Sequence, residues 1–225
     1  TRWHWALQDG DEWHFFHTSP EPEKLKENKM DLVGWASVAA IPNNYLLNPN
    51  KQIKTKDLQI KKAPEWLGVD RALGAWAAFE KSKSTGINSE GIMIVDAGTI
   101  FSLTKINAQG EFEGGQLVAG LKLQLTAMAT GAHNLSMPNM NILPIKKFPF
   151  STSDAMLAGS INALLGTLIE AYHQSKAPIW ICGGDAPVIL SFLKKRNIEI
   201  YHHPNLVLEG MLKLRCQQIT ALNHS

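Results

Sequence analysis

The stretch IMIVDAGTIFSLTK, residues 92–105, decides the fold that we expect for this chain. Four apolar residues lead into Asp96, and the chain becomes apolar again directly after Ala97, Gly98 and Thr99. An apolar run of this kind is typical of a strand that is buried on both faces, and the glycine favours a tight turn into a second strand. The sequence therefore predicts a buried hairpin with a carboxylate beside its turn.

The DAGT sequence at 96–99 allows two interpretations. A glycine turn exposes backbone N–H groups, which together with a threonine hydroxyl suit the oxygens of a phosphate. A carboxylate beside a phosphate needs a cation or an ordered water between them, so this stretch would form a nucleotide-phosphate and metal site. Alternatively, Asp96 only caps the turn of an ordinary hairpin. The stretch by itself leaves both interpretations open.

The rest of the C-terminal part predicts further strands and several helices. Residues 107–120 indicate a turn and a short strand, and 178–186 indicate a strand that ends in two glycines. Apolar periodicity predicts helices at 121–133, 151–174, 187–195 and 206–222.

The N-terminal part begins with a second predicted hairpin. Trp3, Trp5 and Leu7 alternate with other residues, a turn holds Gly10, and an aromatic strand returns at 13–17. Beyond it we expect a third strand at 32–42, a loop at 43–64 with a short strand at 57–60, and a helix at 70–83.

The two hairpins suggest that the chain contains one structural unit twice. A strand that begins at Thr1 or at Thr99, a turn with glycine and a return strand occur in each half. We therefore predict an N-terminal domain at 1–87 and a C-terminal domain at 88–225.

Two other helix starts carry candidate polar residues. Asp70 and Arg71 begin an apolar helix, where they are either an N-cap and a surface charge or an acid–base pair that receives an anionic substrate. The glycine pair at 183–184 is either a tight turn between strand and helix or a place where a flat ring approaches the backbone. For Asp185 we favour the N-cap.

Composition excludes little. A net charge of +2 gives no whole-chain argument for nucleic acid, and no apolar run approaches the length of a membrane span. Two cysteines do not make a disulfide framework, which favours a reducing compartment. We therefore expect a cytoplasmic protein that binds neither nucleic acid nor membrane.

Six motifs together resemble type III pantothenate kinases in order and spacing, and GVDR followed by DAGT is the most specific part of the resemblance. The resemblance covers nearly the whole chain. The motifs are GVDR (68–71), DAGT (96–99), GGQLVAG (114–120), STSDAMLAG (151–159), CGGDA (182–186) and PNLVLEGM (204–211).

The resemblance implies a fold and a reaction. The fold would be α/β, with duplicated ribonuclease H-like domains of the actin-like ATPase type, each a mixed five-stranded sheet flanked by helices. The reaction would be ATP-dependent phosphorylation of pantothenate, the first step of coenzyme A synthesis. It would require Mg²⁺ with ATP and a monovalent cation, K⁺ or NH₄⁺, in a homodimer.

The resemblance also implies roles for single residues. Asp70 matches the proton acceptor, and Asp96 matches the ligand of the monovalent cation. The pantothenate contacts would be Gly68, Val69, Asp70, Arg71 and Thr152, and the ATP-binding positions would be Thr1, Gly98 and Thr99.

Departures from the family pattern keep other hypotheses open. The family begins with an Asp-x-Gly-Asn-Thr phosphate loop, of which this sequence holds Thr1, and we expect the preceding strand and loop to be missing from it. Lys61 stands where a tyrosine is common, Ala119 where a proline is common, and Gly131 where a threonine is common. The alternatives are a non-catalytic nucleotide-binding regulator and a kinase for another small hydroxyl compound, such as a sugar.

Overall fold

The structure is a computed structural model. It describes residues 2–23, 25, 31–41, 45, 47–87, 89–144, 146–194 and 196–223.

An antiparallel hairpin opens the described chain, with β1 at Trp3–Asp9 and β2 at Glu12–Thr18. It confirms the predicted first hairpin. Its two strands form a small sheet of their own. Both faces carry aromatic side chains, because Trp5 pairs with Phe16 while Trp13 and Phe15 lie on the opposite face.

The predicted third strand at 32–42 is wrong for the residues described there, 32–41. Among them Trp35 makes a single bridge to Gln52 and no ladder follows. The backbone of Trp35 donates to Lys51 and accepts from Ile53, and Arg215 lies against Gly34 and donates to the carbonyl of Lys51. These isolated contacts hold the segment where a ladder was expected. The short strand predicted at 57–60 is also wrong, because Thr55–Asp57 forms a 3₁₀ turn.

A mixed five-stranded sheet forms the centre of the C-terminal part. Its strand order is β5-β4-β3-β6-β7, antiparallel on the β4 side of β3 and parallel on the β6 side. β7 lies outside the elements that the sequence predicted. The strands are β3 at Ile92–Ala97, β4 at Ile100–Ile106, β5 at Phe112–Ala119, β6 at Ile179–Cys182 and β7 at Ile200–His202.

Five helices can be assigned within the described residues, and they confirm the helices predicted from apolar periodicity. Ser151 caps the longest one by accepting a hydrogen bond from the backbone N–H of Asp154. The helices are α1 at Val69–Thr85, α2 at Leu121–Gly131, α3 at Thr152–Ser175, α4 at Ala186–Leu193 and α5 at Leu206–Asn223.

The sheet is buried on both faces, which explains the unbroken apolar run in β3. Ile92 and Ile94 face α1 and α5, whereas Met93 and Val95 face α2, α3 and α4. The α/β fold with a mixed sheet flanked by helices is therefore confirmed for this part of the chain.

α1 and α5 pack closely because Gly210 has no side chain. A Cβ at Gly210 would lie 2.9 Å from the carbonyl oxygen of Leu73 and 3.1 Å from the Cβ of Ala77. Glu80 of α1 adds a charged link across the same pair of helices, with Lys213 of α5 at 3.1 Å. α1 therefore sits in a fixed position above the sheet.

α3 meets the length and hydropathy of a membrane span, contrary to the expectation that no run reaches that length. It has 24 residues, and 50% of its apolar window is buried inside the protein. By length and composition alone, a core helix meets the same criteria. Leu157, Ile161, Leu164 and Leu168 pack into the core.

Two glycines with the same backbone conformation allow a controlled test of the packing between β3 and β4. Gly86 and Gly91 have φ of +71° and +72°, but a Cβ would meet nothing at Gly86 and would lie 2.1 Å from the carbonyl oxygen of Ile106 at Gly91. We expect Gly86→Ala to lower the free energy of unfolding by about 1 kcal/mol from backbone strain. Gly91→Ala should cost about 3 kcal/mol or more, because steric overlap adds to that strain.

Urea unfolding followed by circular dichroism measures the difference. Equal losses in the two variants would show that the close approach of Gly91 to Ile106 does not limit the packing of the sheet.

Candidate functional site

Three loops meet where β3 and β6 end. Gly98 and Thr99 form the turn between β3 and β4, Gly120 lies between β5 and α2, and Gly183 follows β6. Gly120 donates its backbone N–H to the carbonyl of Thr99 at 2.9 Å. The two glycine motifs noted in the sequence therefore lie in one place, around the end of β3.

The glycines allow the backbones of these loops to touch. A Cβ at Gly120 would lie 2.0 Å from the carbonyl oxygen of Gly98. At Gly183, with φ of +90°, it would lie 2.5 Å from Oδ1 of Asp96 and 2.6 Å from the carbonyl oxygen of Ala97. Any other residue at either position would push the loops apart.

Asp96 is a largely buried carboxylate in the middle of these loops. Its neighbours in the sheet register are Ser102 of β4 and Cys182 of β6. Burial, with the charge of Asp70 as a smaller cause, raises its pKa from 3.8 to about 6. Asp96 is therefore a strand residue and not the cap of a simple turn.

Asp70 lies at the start of α1, and its charge reaches Asp96. Gly68 is the N-cap residue, so the prediction of Asp70 as an N-cap is wrong. Oδ1 of Asp70 accepts a hydrogen bond of 2.7 Å from the backbone N–H of Arg71. The side chain turns back toward Gly68, where a Cβ would lie 2.7 Å from the same oxygen.

Arg71 reaches from α1 across to β4. Its Nε donates to Oγ1 of Thr104 at 3.1 Å, and its Nη2 donates to the carbonyl of Leu103 at 3.3 Å. Burial lowers the pKa of Arg71, whereas the charge of Asp70 raises it. Arg71 is thus a half-buried cation and not the surface charge of the alternative interpretation.

Asp185, in the loop after β6, lies near the positive charge of Arg2. Asp185 stands at the N-cap position of α4, as favoured from the sequence, but its side chain makes no capping hydrogen bond. Burial raises the pKa of Asp185, and the positive charge of Arg2 opposes that shift. A Cβ at Gly184 would lie 3.8 Å from Nη1 of Arg2, so the first hairpin starts beside this loop.

The structure brings several predicted site residues together and leaves others apart. Asp70 is close enough to Asp96 to raise its pKa, Gly68 and Arg71 adjoin Asp70, and Gly98 adjoins Asp96. Val69 is 7% exposed and packs into the core, so little of its side chain can reach a ligand. Thr99 is exposed in the turn, and Thr1 lies outside the described residues.

Thr152 is exposed in the first turn of α3. Within the described part of the chain, no hydrogen bond or ion pair links Thr152 to Asp70 or Asp96. Its predicted contact with a substrate stays a prediction.

The three departures from the family pattern lie at different places. The backbone of Lys61 pairs with the turn between β4 and β5, at the opposite end of the sheet from Asp96. Ala119 ends β5, and its carbonyl accepts a hydrogen bond from Gln124 at 2.7 Å. Gly131 is exposed at the end of α2.

Sequence reasoning missed Thr104, Gly115 and Arg2 as part of this region. The signal for Thr104 was present, because Asp96, Ser102 and Thr104 point to the same face of the sheet in adjacent strands. Nothing in the sequence alone joins that face to Arg71, which comes from a helix 33 positions earlier than Thr104.

A cation would suit the surroundings of Asp96. The residues described include no Lys, Arg or His that forms an ion pair with Asp96, while a second carboxylate lies close enough to raise its pKa. Carboxylate, hydroxyl and carbonyl oxygens around the turn are ligands that hard cations prefer. The residues present therefore fit a bound cation.

The fold has a counterpart among solved structures. A crystal structure from Campylobacter jejuni, described as a Baf family transcriptional activator, aligns with a TM-score of 0.51 at 16% identity and covers 94% of this chain and 92% of that one. At this identity the similarity concerns the fold alone. The protein is thus an α/β protein of an architecture already seen.

Sequence comparison identifies the family. The model of the type III pantothenate kinase family matches residues 35–174, which is more than half of the chain. The type III pantothenate kinase of Thermosynechococcus vestitus is 28% identical over 208 residues, which are 86% of this chain and 78% of that protein. That of Synechococcus elongatus is 25% identical and covers 98% of this chain and 95% of its own length. The chain belongs to the type III pantothenate kinase family.

The raised pKa of Asp96 predicts how stability depends on pH. Because the pKa in the folded state, about 6, exceeds the ordinary 3.8, the folded state binds the proton more tightly. The resulting stabilisation is complete below pH 3.8 and is lost as the pH rises through 6. We expect Asp96→Asn to gain stability relative to the wild type by on the order of 1 kcal/mol between pH 5 and pH 8.

Urea unfolding at the two pH values, in buffers without added metal, tests this. Asp70→Asn should lower the pKa of Asp96 toward its ordinary value, which carbon-detected NMR of the carboxylate can follow. If the free energies of unfolding of Asp96→Asn and wild type differ by the same amount at both pH values, the raised pKa of Asp96 is contradicted.

Proposed function

We propose that this protein transfers the terminal phosphoryl group of ATP to the primary hydroxyl of pantothenate, the first step of coenzyme A synthesis. Membership of the type III pantothenate kinase family supports the reaction. The observation that carries the proposal is that Asp70 and Asp96 lie close enough for the charge of Asp70 to raise the pKa of Asp96. A protein that only binds nucleotide needs no proton acceptor such as Asp70.

Asp70 orients the acceptor hydroxyl and takes its proton. Its carboxylate lies in the first turn of α1, where the helix dipole favours negative charge, and Oδ1 already accepts the Arg71 N–H. An aspartate is a weak base for an alcohol, so the proton moves late, when the bond from oxygen to phosphorus is forming. The loose transition state of phosphoryl transfer suits this role, because positioning carries most of the catalysis.

The turns at the ends of β3 and β6 bind ATP. Gly98 and Thr99 offer a backbone turn and a hydroxyl to the phosphate oxygens, together with Thr1. Asp96 holds the monovalent cation, K⁺ or NH₄⁺, and Mg²⁺ enters with ATP. When bound, these cations neutralise negative charge on the phosphates.

The pantothenate pocket consists of Gly68, Asp70 and Arg71, the backbone of Val69, and Thr152. Arg71 supplies a half-buried positive charge next to Asp70, which suits an acceptor that carries a carboxylate. Gly68 keeps the start of the helix open, because any side chain there would meet Oδ1 of Asp70.

We further propose that the chain works as a homodimer. The outer face of α3 carries the exposed residues Ala155, Gly159, Ala163 and Gly166, which let another helix approach closely. A Cβ at Gly159 or Gly166 would meet nothing within 4 Å, so the face is open. A partner on this face would come near Thr152, at the start of the same helix.

The duplicated architecture and the cytoplasmic location belong to the same proposal. The sheet of residues 92–202 is one unit, and the hairpin at 3–18 with α1 is the corresponding part of a second unit. Cys182 and Cys216 are both free thiols, which suits a reducing compartment.

Replacing Asp70 tests the reaction. We expect Asp70→Asn to lower kcat by at least about 100-fold, because general acid–base catalysis contributes at least that much, while ATP binding stays within about two-fold. ADP release with pantothenate, Mg²⁺ and K⁺ measures turnover, and calorimetry measures ATP binding. Asp11→Asn, in the exposed turn of the first hairpin, is the matched control.

The same assay separates the alternatives. Wild-type protein that releases no ADP with pantothenate in K⁺, or that releases it only with a sugar, would refute the proposal.

The dimer is tested by a charge on its proposed interface. Ala163→Glu should convert the protein to monomers, because two buried carboxylates would face each other across the axis. Light scattering coupled to size exclusion gives the mass. Gln174→Glu, an exposed residue on the last turn of α3, should leave the dimer intact; a dimer in both variants would place the interface elsewhere.

A further inference from the structure

Arg71 lies in a slot on the sheet that is shaped for its guanidinium group. In the β-ladder Thr104 stands directly opposite Gly115, and a Cβ at Gly115 would lie 2.6 Å from Nη2 of Arg71. Thr104 lies on one side of this slot and the bare backbone of Gly115 on the other. A Cβ at Gly115 would also lie 2.1 Å from the carbonyl oxygen of Leu103, so only glycine fits beside the guanidinium.

Thr104 is the only side chain among the described residues that donates or accepts a hydrogen bond with the guanidinium. Oγ1 accepts from Nε at 3.1 Å, and the other recorded bond goes to the main chain of Leu103. Thr104 is 2% exposed, so water cannot replace its hydroxyl without a rearrangement. The hydrogen bond to Thr104 therefore fixes the orientation of the guanidinium group of Arg71.

Fixing Arg71 in this way leaves donors for a ligand. A guanidinium group has five N–H donors, and the two recorded bonds use two of them. The charge of the neighbouring Asp70 acts on Arg71 and favours its charged form. An anchored arginine loses little further conformational entropy when it binds an anion, so the anchor increases affinity.

We propose that Thr104 is a positioning residue for the acceptor site: it acts through Arg71 to set the affinity for the carboxylate of the acceptor. This rests on the proposed function, because the acceptor is taken to be pantothenate. Thr104 itself touches no substrate, and the nucleotide site depends on other elements.

Thr104→Val keeps the shape of the side chain and removes the hydroxyl. We expect the KM for pantothenate to rise about ten-fold, with kcat and the KM for ATP within about two-fold of wild type, because the loss falls on ground-state binding of the acceptor. Thr104→Ser should restore the wild-type KM, since it returns the acceptor atom. Ser82→Ala, which removes a buried hydroxyl at the far end of α1, controls for general destabilisation.

A double-mutant cycle shows whether the effect passes through Arg71. In an Arg71→Ala background, Thr104→Val should add no further increase in the KM for pantothenate, because the anchored group is gone. If the two substitutions raise the KM for pantothenate additively, the proposal is refuted. It is also refuted if Thr104→Val leaves that KM unchanged, or if Thr104→Ser raises it as much as Thr104→Val does.

A measurement without turnover keeps this inference separate from the proposed reaction. The Nε–H signal of Arg71 in a ¹H–¹⁵N spectrum should be sharp in wild type and Thr104→Ser, and it should broaden by solvent exchange in Thr104→Val. An unchanged signal would refute the anchor even if the enzyme is active. Absence of pantothenate-dependent ADP release in wild type would instead refute the reaction, and with it the role assigned to the anchored arginine.

Discussion

The structure depends on holding a carboxylate at the end of a strand that is buried on both faces. Asp96 lies between two neighbouring strands, and both burial and Asp70 disfavour its charge. Such an arrangement costs free energy in the isolated protein. It persists because the large apolar core on both faces of the sheet fixes β3 even though a charged side chain lies near its end.

The same constraint explains why glycines cluster around this point. In the proposed function Asp96 needs space beside it for a cation, but the loops that bring the other ligand groups must come close. Gly98, Gly120 and Gly183 reconcile these demands, since their backbones pack within contact distance while Asp96 stays partly exposed. Packing and binding are thus served by the same residues.

The sequence predicted the C-terminal half well, because its elements have strong local signals. The apolar run of β3 and the periodicity of α3 each specify their own structure. The segment at 32–41 was mistaken for a strand, because apolar content does not reveal that its pairing stops after a single bridge, from Trp35 to Gln52. β7, with three residues, is too short for its pattern to stand out.

The candidate site was predictable where one motif carries both residues, as at 68–71 and 96–99. It was not predictable where partners come from distant elements. The link between Arg71 and Thr104 joins a helix to a strand, and the slot at Gly115 exists only once β4 and β5 are paired. Proximity of this kind follows from topology and leaves no local trace.

The two cysteine thiols differ in burial and therefore in reactivity toward labelling reagents. Burial raises the pKa of Cys182 well above the ordinary value, and its side chain is 3% exposed, so thiolate reagents cannot reach it in the native state. Cys216 is exposed on α5, next to Arg215, which contacts Gly34 and Lys51. A fluorophore can therefore be attached to the native protein at Cys216 alone. It would report on movements of α5 and leave the surroundings of Asp96 and Cys182 chemically untouched.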